Sequence, residues 1–167
     1  MARLCRVMFL CFMPLWAVNA SDNVRIDLPE VRKKAPAFSI QHGEQQFSLA
    51  DDARRLVILN FWSIDCKPCR EEMASLDALA SKYQGLDVVA ISINDTWEAI
   101  LQYKNKFALG LPLFADENRK IRHSYEVDVL PLTYLIGEDG KFIGRIVGAR
   151  DWMHPEMQLF IGRFLNR

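Results

Sequence analysis

The feature that most constrains the fold is a pair of cysteines placed between a buried strand and a helix. The segment Arg55–Trp62, RLVILNFW, is a nearly continuous apolar run rich in branched side chains, which is typical of a strand buried on both faces. The sequence Cys66-Lys67-Pro68-Cys69 follows after a short gap. From Cys69 to Gly85 the apolar residues recur at helical spacing, at Met73, Leu76, Leu79 and Ala80. The sequence therefore predicts a strand, a loop with two cysteines, and a helix.

The rest of the chain continues this alternation of strands and helices. A small hairpin is predicted around Gly43 from the short alternating segments on either side of it. A second hairpin is predicted over 130–148, because Asp139-Gly140 is a strong turn signal between two apolar segments. The remaining predicted elements are strands over 86–93 and 111–116, and helices over 94–110, 117–127 and 154–167. Such an order indicates an α/β fold whose sheet is covered by helices on both faces.

The predicted helix over 94–110 has a defined start and a defined inner face. Asn94 or Asp95 is the expected N-cap, since both side chains accept hydrogen bonds from the first helical N–H groups. The inner face is expected to consist of Trp97, Ile100, Leu101, Tyr103 and Phe107.

Composition indicates an ordinary globular domain and excludes a basic nucleic-acid binder. The chain has 167 residues, enough for one domain with a proper core. Its 21 basic and 21 acidic residues give a formal net charge of zero. No global positive field therefore points to nucleic acid or to an anionic membrane surface as a partner.

The first twenty residues differ from the rest. Arg3 and Arg6 precede an apolar run from Val7 to Val18, and small Ala20 comes before a polar segment. This is the pattern of a secretory signal peptide over 1–20 with cleavage before Ser21. The alternative is an uncleaved membrane anchor, which we disfavour because a spanning helix needs about 20 apolar residues. We expect a linker over 21–34 and one domain over 35–167.

Cleavage removes Cys5 and Cys11 and leaves Cys66 and Cys69 as the cysteines of the mature chain. A metal site is disfavoured, because a structural zinc takes four N or S ligands and the three histidines are far away in sequence. A purely structural disulfide is disfavoured as well, since it closes too small a loop to contribute much chain entropy. Exchange of electrons between thiols and disulfides remains, which needs no metal and no cofactor.

These residues carry a resemblance to a known family. A buried strand ending in aromatic residues, followed by C-x-P-C at the start of a helix, resembles the active site of thioredoxin-like proteins. Leu130-Pro131 before the strand LTYLI resembles their cis proline. The interval between Cys69 and Pro131 is longer than in a minimal thioredoxin by enough residues for one extra helix and strand. Together with the N-terminal pattern, this resembles the TlpA/ResA branch of exported thiol–disulfide oxidoreductases.

The resemblance implies a catalytic set of three residues. Cys66 would be the exposed nucleophile and Cys69 the resolving thiol, and the two would form a redox-active disulfide. Glu72 matches a glutamate that this branch often places three residues after the second cysteine, where it can handle protons. The alternative for Glu72 is a solvated acid that the helix dipole favours in the first turn.

The resemblance also implies a substrate groove shaped by Pro131, Leu130 and Trp62. For Trp62 the alternative is simple core packing. Two positions depart from the common pattern. Asn60 stands where ordinary thioredoxins carry a buried aspartate, and Asp65 precedes the first cysteine where an aromatic residue is frequent.

The resemblance therefore implies a thioredoxin-like α/β fold, with a central mixed sheet flanked by helices. We expect a periplasmic oxidoreductase that reduces protein disulfides. The TlpA/ResA branch includes cytochrome c maturation reductases. The resemblance to it implies a membrane thiol reductase as electron donor. We expect the protein to be a monomer. Three alternatives stay open: a disulfide-forming oxidase, a non-catalytic chaperone or binding module, and a thiol peroxidase. The last lacks the expected single cysteine flanked by threonine and proline.

Overall fold

The computed structural model describes residues 26–29, 32–50 and 55–165. The predicted signal peptide over 1–20 and its cleavage point lie outside the described residues. The elements, in chain order, are β1 (Phe38–His42), β2 (Gln45–Leu49), β3 (Leu56–Trp62), α1 (Lys67–Lys82), β4 (Leu86–Ser92), α2 (Trp97–Lys106), β5 (Leu113–Ala115), α3 (Lys120–Ser124), β6 (Leu132–Ile136), β7 (Phe142–Val147) and α4 (Pro155–Leu165). The predicted strands and helices are all present, most with shorter bounds.

The main sheet has five strands in the order β5-β4-β3-β6-β7. Strands β3, β4 and β5 are parallel, whereas β6 runs antiparallel to β3 and pairs with β7 in the predicted hairpin. The sheet is therefore mixed, as expected from the resemblance. Strands β1 and β2 form a separate antiparallel pair, which confirms the small hairpin around Gly43.

Strand β3 lies in the middle of the sheet and supplies side chains to two cores. All seven of its residues are buried. Successive side chains of a strand point to opposite faces, so Leu56 and Ile58 pack in one apolar cluster and Val57 and Leu59 in the other. The first cluster includes apolar residues of α1, α2 and α4, and the second is closed by α3 and the β1–β2 hairpin. This explains why the strand reads as a continuous apolar run.

Two details of the prediction for α2 are wrong. Its N-cap is Thr96, whose Oγ1 accepts a hydrogen bond from the Ala99 N–H at 3.3 Å, and neither Asn94 nor Asp95 caps it. Leu101 and Phe107 are 41% and 51% exposed, although both were expected on the inner face. Leu101 lies one residue past buried Ile100 and so points about 100° away from it.

Residues of the predicted linker pack against the domain. The Asp27 backbone exchanges two hydrogen bonds of 3.0 Å with Arg145 of β7, and the Lys33 carbonyl accepts one from the Phe142 N–H. Arg32 forms an ion pair with Asp139 in the β6–β7 turn. The described residues before position 35 thus extend along β7.

A helix and a strand, α2 and β5, occupy the long interval between the cysteines and Pro131. Their status as an insertion relative to a minimal thioredoxin stays a prediction. Among the described residues, no helix has the length and apolar character needed to cross a membrane.

Candidate active site

The two cysteines lie where β3 leads into α1. Cys66 is the N-cap of α1, and its sulfur accepts a hydrogen bond from the Cys69 N–H at 3.2 Å. Pro68 fits in the first turn because the N–H that it lacks has no helical partner there. Cys66 and Cys69 are joined in a disulfide with their Cα atoms 5.3 Å apart. The pair is therefore held at the end of a helix whose dipole favours negative charge on Cys66.

The two sulfurs differ in accessibility. Cys66 is half-buried, whereas Cys69 is completely buried in the core next to Met73 and Leu76. A second protein can therefore reach the sulfur of Cys66 and cannot reach that of Cys69 without a rearrangement.

The loop before Cys66 is held by contacts that the sequence did not reveal. The Ile64 N–H donates to Asp95 Oδ2 at 2.8 Å, and the Arg70 guanidinium donates to the Ile64 carbonyl. Asp95, expected as a possible helix cap, instead supports the approach to the cysteines. Lys67 forms an ion pair with Glu71 one turn along the helix, while Asp65 is exposed. The positive charge of Lys67 near Cys66 is thus partly compensated.

Glu72 follows Cys69 by three residues on α1 and is buried, at only 2% exposure. Its Oε1 accepts a hydrogen bond from Asn60 Nδ2 at 2.8 Å. Its Oε2 accepts from the Arg150 backbone N–H at 3.0 Å and from Trp152 Nε1 at 3.2 Å. The alternative of a solvated first-turn acid is wrong. Burial raises the pKa of this carboxyl above its ordinary value, although the three hydrogen bonds and the charge of Arg150 oppose the rise.

Asn60 extends this polar cluster across the sheet. Its Nδ2 also donates to Thr133 Oγ1 at 2.9 Å, and Asn60 and Thr133 are paired directly in the register of β3 and β6. Both side chains are buried. A polar path thus runs from α1 through β3 to β6, within the otherwise apolar interior.

The expected cis proline is confirmed, since the Leu130–Pro131 peptide bond is cis. The register of β3 and β6 pairs Phe61 with Leu132. Pro131, the residue before Leu132, therefore lies opposite the end of β3, the strand that leads to the cysteines. The Pro131 carbonyl accepts a hydrogen bond from the Gly148 N–H at 2.9 Å. Leu130 is half-buried, and exposed Val129 precedes it in the chain. Exposed Val147 pairs with Leu132 in the register of β6 and β7 and directly precedes Gly148.

Trp62 is completely buried, with its ring centroid 5.1 Å from that of Tyr103. Its side chain does not face solvent in this structure, and its burial matches the core-packing alternative. Among residues 26–29, 32–50 and 55–165, no group of three or more His, Cys, Asp or Glu side chains is arranged to hold a metal ion.

Sequence reasoning missed the residues that surround Glu72 from outside its own helix. Arg150 and Trp152 follow β7, and Thr133 lies on β6. No local motif marks them, because their contact with Glu72 or Asn60 depends on how the chain returns to the sheet. Thr133 has a weak signal, as a polar residue in the apolar segment LTYLI.

Comparison with known proteins agrees with this geometry. The AhpC/TSA family matches residues 31–143. The thiol-disulfide oxidoreductase ResA of Bacillus thuringiensis (strain Al Hakam) is 34% identical over 124 residues, which cover 72% of this chain and 72% of that protein.

Two solved structures show the same fold. A Chlorobium tepidum protein assigned as the thiol:disulfide interchange protein DsbE matches with a TM-score of 0.73 at 24% identity, over 84% of this chain and 99% of the other. A thioredoxin family thiol:disulfide interchange protein of Chlorobium tepidum TLS matches with a TM-score of 0.64 at 22% identity, over 73% of this chain and 90% of the other. The expected thioredoxin-like fold is thereby confirmed.

Proposed function

Since the chain belongs to the AhpC/TSA family and is a thioredoxin-like thiol–disulfide oxidoreductase, we propose that it reduces protein disulfides outside the cytoplasm. The observation that carries the proposal is the asymmetry of the disulfide. Cys66 is half-buried at the N-terminus of α1, whereas Cys69, one turn before Glu72 on the same helix, is completely buried.

The exchange proceeds in two steps through a mixed disulfide. The Cys66 thiolate attacks one sulfur of the substrate disulfide, forms a bond to it and releases the other substrate sulfur as a thiolate. The Cys69 thiol then loses its proton and attacks Cys66, which releases the second substrate sulfur as a thiolate. Two electrons pass to the substrate, and the Cys66–Cys69 disulfide forms. Two protons from solvent complete the two substrate thiols, while the proton that leaves Cys69 goes to a base of the protein.

Glu72 takes the proton from Cys69 in this proposal. The two residues are three positions apart on α1, a spacing that places side chains on one helix face. Both are buried, so water has little access to the Cys69 thiol. The raised pKa of Glu72 makes it a better proton acceptor and donor near neutral pH than an ordinary glutamate.

The substrate polypeptide is proposed to lie across Leu130 and Pro131. The half-buried side chain of Leu130 and the exposed side chains of Val129 and Val147 present apolar area beside the proline. Trp62 is expected from the resemblance to shape the groove, but its side chain is buried and does not contribute to this surface.

The electrostatics around Cys66 favour a reductase over an oxidase. A strong oxidant depends on a highly stabilised thiolate in its reduced form. Here the helix N-terminus favours the thiolate, but Glu71 compensates Lys67, and Asp65 adds a negative charge beside Cys66. We expect a reduction potential nearer the roughly −270 mV of thioredoxin than the roughly −120 mV of DsbA.

Equilibration of the protein with glutathione buffers of known ratio measures this potential. A value above about −150 mV would instead favour the disulfide-forming oxidase. A variant with both cysteines changed to serine separates catalysis from holding. We expect it to lose all reduction of a protein disulfide, whereas a chaperone would keep its effect on unfolded clients.

Location and partners are the remaining parts of the proposal. The charged and apolar pattern of residues 1–20 supports export by a cleaved signal peptide, and the periplasm is the proposed compartment. A membrane thiol reductase is the proposed electron donor. Cytochrome c maturation is one process in which this protein would act as the disulfide reductase. We propose that the protein acts as a monomer.

A further inference from the structure

The surroundings of Glu72 are suited to only one of its two protonation states. Its three hydrogen-bond partners are Asn60 Nδ2, the Arg150 N–H and Trp152 Nε1, and each of these is a donor. An ionised carboxylate accepts all three bonds. A protonated Glu72 carries a hydrogen on one oxygen, and that hydrogen would point at another N–H group. In the arrangement shown, it has no acceptor.

A suitable acceptor is nevertheless close by. The Oδ1 atom of Asn60 is buried and has no hydrogen-bond partner among the described residues. It belongs to the same amide group whose Nδ2 bonds to Glu72 and Thr133. A half-turn of this amide exchanges the positions of oxygen and nitrogen with almost no change in shape. Oδ1 then takes the place of Nδ2, between Glu72 and Thr133.

The turned amide is compatible with both neighbours. Its oxygen can accept a hydrogen bond from the protonated Glu72 carboxyl and a second one from the Thr133 hydroxyl, which is both a donor and an acceptor. In the arrangement shown, the two Nδ2 hydrogens go to Glu72 and to Thr133 Oγ1. One buried atom of the amide stays without a partner in either orientation. The two orientations therefore match the two protonation states of Glu72.

We propose that Asn60 and Thr133 form a proton-linked amide switch, in which the Asn60 amide turns over whenever Glu72 gains or loses its proton. Asn60 and Thr133 are positioning residues that act through Glu72. The inference rests on the proposed function in one respect, the transfer of a proton from Cys69 to Glu72. In that step the Cys69 S–H bond breaks, a Glu72 O–H bond forms, and the turned amide accepts the new hydrogen.

The other groups around Glu72 do not provide an alternative acceptor for the hydrogen of its protonated carboxyl. On α1, Cys69 is held in the disulfide, and Ser75 directs its hydroxyl to the Glu72 backbone carbonyl. From the segment after β7, Arg150 and Trp152 contribute donors, and the charge of Arg150 acts to lower the pKa of Glu72. Strands β3 and β6 contribute only the neutral side chains of Asn60 and Thr133 at this point.

A pair of variants at Thr133 tests the switch by titration of Glu72 in the oxidised protein. Thr133→Val keeps the shape and removes the hydroxyl. The ionised state then holds an Nδ2 hydrogen without an acceptor. In the protonated state, Oδ1 loses the bond from Thr133 but keeps the one from Glu72, so this oxygen is not left without a partner and the loss is smaller. We expect the pKa of Glu72, followed by its carboxyl carbon in NMR, to rise by about 0.5 to 1 unit. The matched variant Thr133→Ser retains the hydroxyl and should titrate like the wild type.

An amide that does not turn predicts a different result. Its Nδ2 would lose the same acceptor in both protonation states, so Thr133→Val would leave the pKa of Glu72 unchanged. That outcome overturns the inference. It leaves the proposed function intact, because the titration involves no substrate and no exchange.

The wild-type protein provides a second test that needs no variant. Above the Glu72 midpoint, the Nδ2 hydrogens of Asn60 should show a nuclear Overhauser effect to the Thr133 methyl group. Below it, they should point away, and the effect should weaken with the same midpoint as the Glu72 carboxyl signal. If the effect persists unchanged while Glu72 titrates, the amide does not turn and the proposal is wrong.

Discussion

Replacing Glu72 by glutamine should change how the stability of the oxidised protein depends on pH. Glu72 is 2% exposed, and burial is the largest influence on its pKa, which is raised from an ordinary value of 4.5. The folded state therefore holds a proton that the unfolded state releases at lower pH. Above pH 4.5 the wild type should lose stability as pH rises, until the pH passes the raised pKa of the folded state.

The size of this loss follows directly from the pKa shift. Each unit by which the folded-state pKa exceeds the unfolded value removes about 1.4 kcal/mol of stability at high pH. Glu72→Gln has no proton to release. With the Asn60 amide turned, its Nε2 can donate to Oδ1 while its oxygen accepts from Trp152 and the Arg150 backbone. The variant should therefore gain stability relative to the wild type as pH rises through this window.

Denaturant unfolding of both proteins over about pH 4 to 8, with the disulfide intact, measures the difference. Glu71→Gln is a matched control, because the Glu71 side chain is 58% exposed and forms an ion pair with Lys67 at the surface. Its effect should stay within about 1 kcal/mol and should not follow the same pH window. Parallel curves for Glu72→Gln and wild type would refute the reasoning. If the wild type instead gains stability relative to Glu72→Gln as pH rises, the N–H donors lower the pKa of Glu72 by more than burial raises it.

Two further predictions concern the cysteines and the N-terminus. In the reduced protein, Cys66 should be alkylated much faster than Cys69, since Cys69 is completely buried, and peptide mass spectrometry after brief treatment distinguishes them. Equal rates over the whole pH range would contradict the assigned roles. The exported protein should begin at Ser21, and the intact mass of the processed chain decides this; a chain that retains Met1 in the membrane fraction would show an anchor.

The elements nearest the cysteines could be predicted because their signals are local. The apolar run of β3, the C-x-P-C segment and the turn at Asp139-Gly140 each depend on neighbouring residues only. The cis form of Pro131 depended on the family resemblance. Strand β6 could be recognised as apolar, while its antiparallel pairing with β3 became visible only in the structure.

The parts that could not be predicted depend on contacts between distant segments. Trp152 reaches Glu72 from eighty positions away in the chain, and no pattern of spacing indicates such a contact. Asp95 was a plausible cap by residue type, but its carboxylate bonds to the Ile64 N–H, and Thr96 caps α2 instead. The helical period predicts Phe107 on the inner face, yet this residue lies just past the last helical residue and is exposed.

Trapping with single cysteine variants tests the central claim most directly, namely that Cys66 attacks and Cys69 releases. In Cys69→Ser the first step still occurs, but the mixed disulfide cannot be resolved. Expressed in cells, this variant should accumulate covalent adducts that disappear on treatment with a thiol, and their identity names the substrates. Cys66→Ser should yield none, because the remaining thiol is buried. If both variants are well expressed and trap equally little, Cys66 is not the attacking thiol of a disulfide exchange and the account is contradicted.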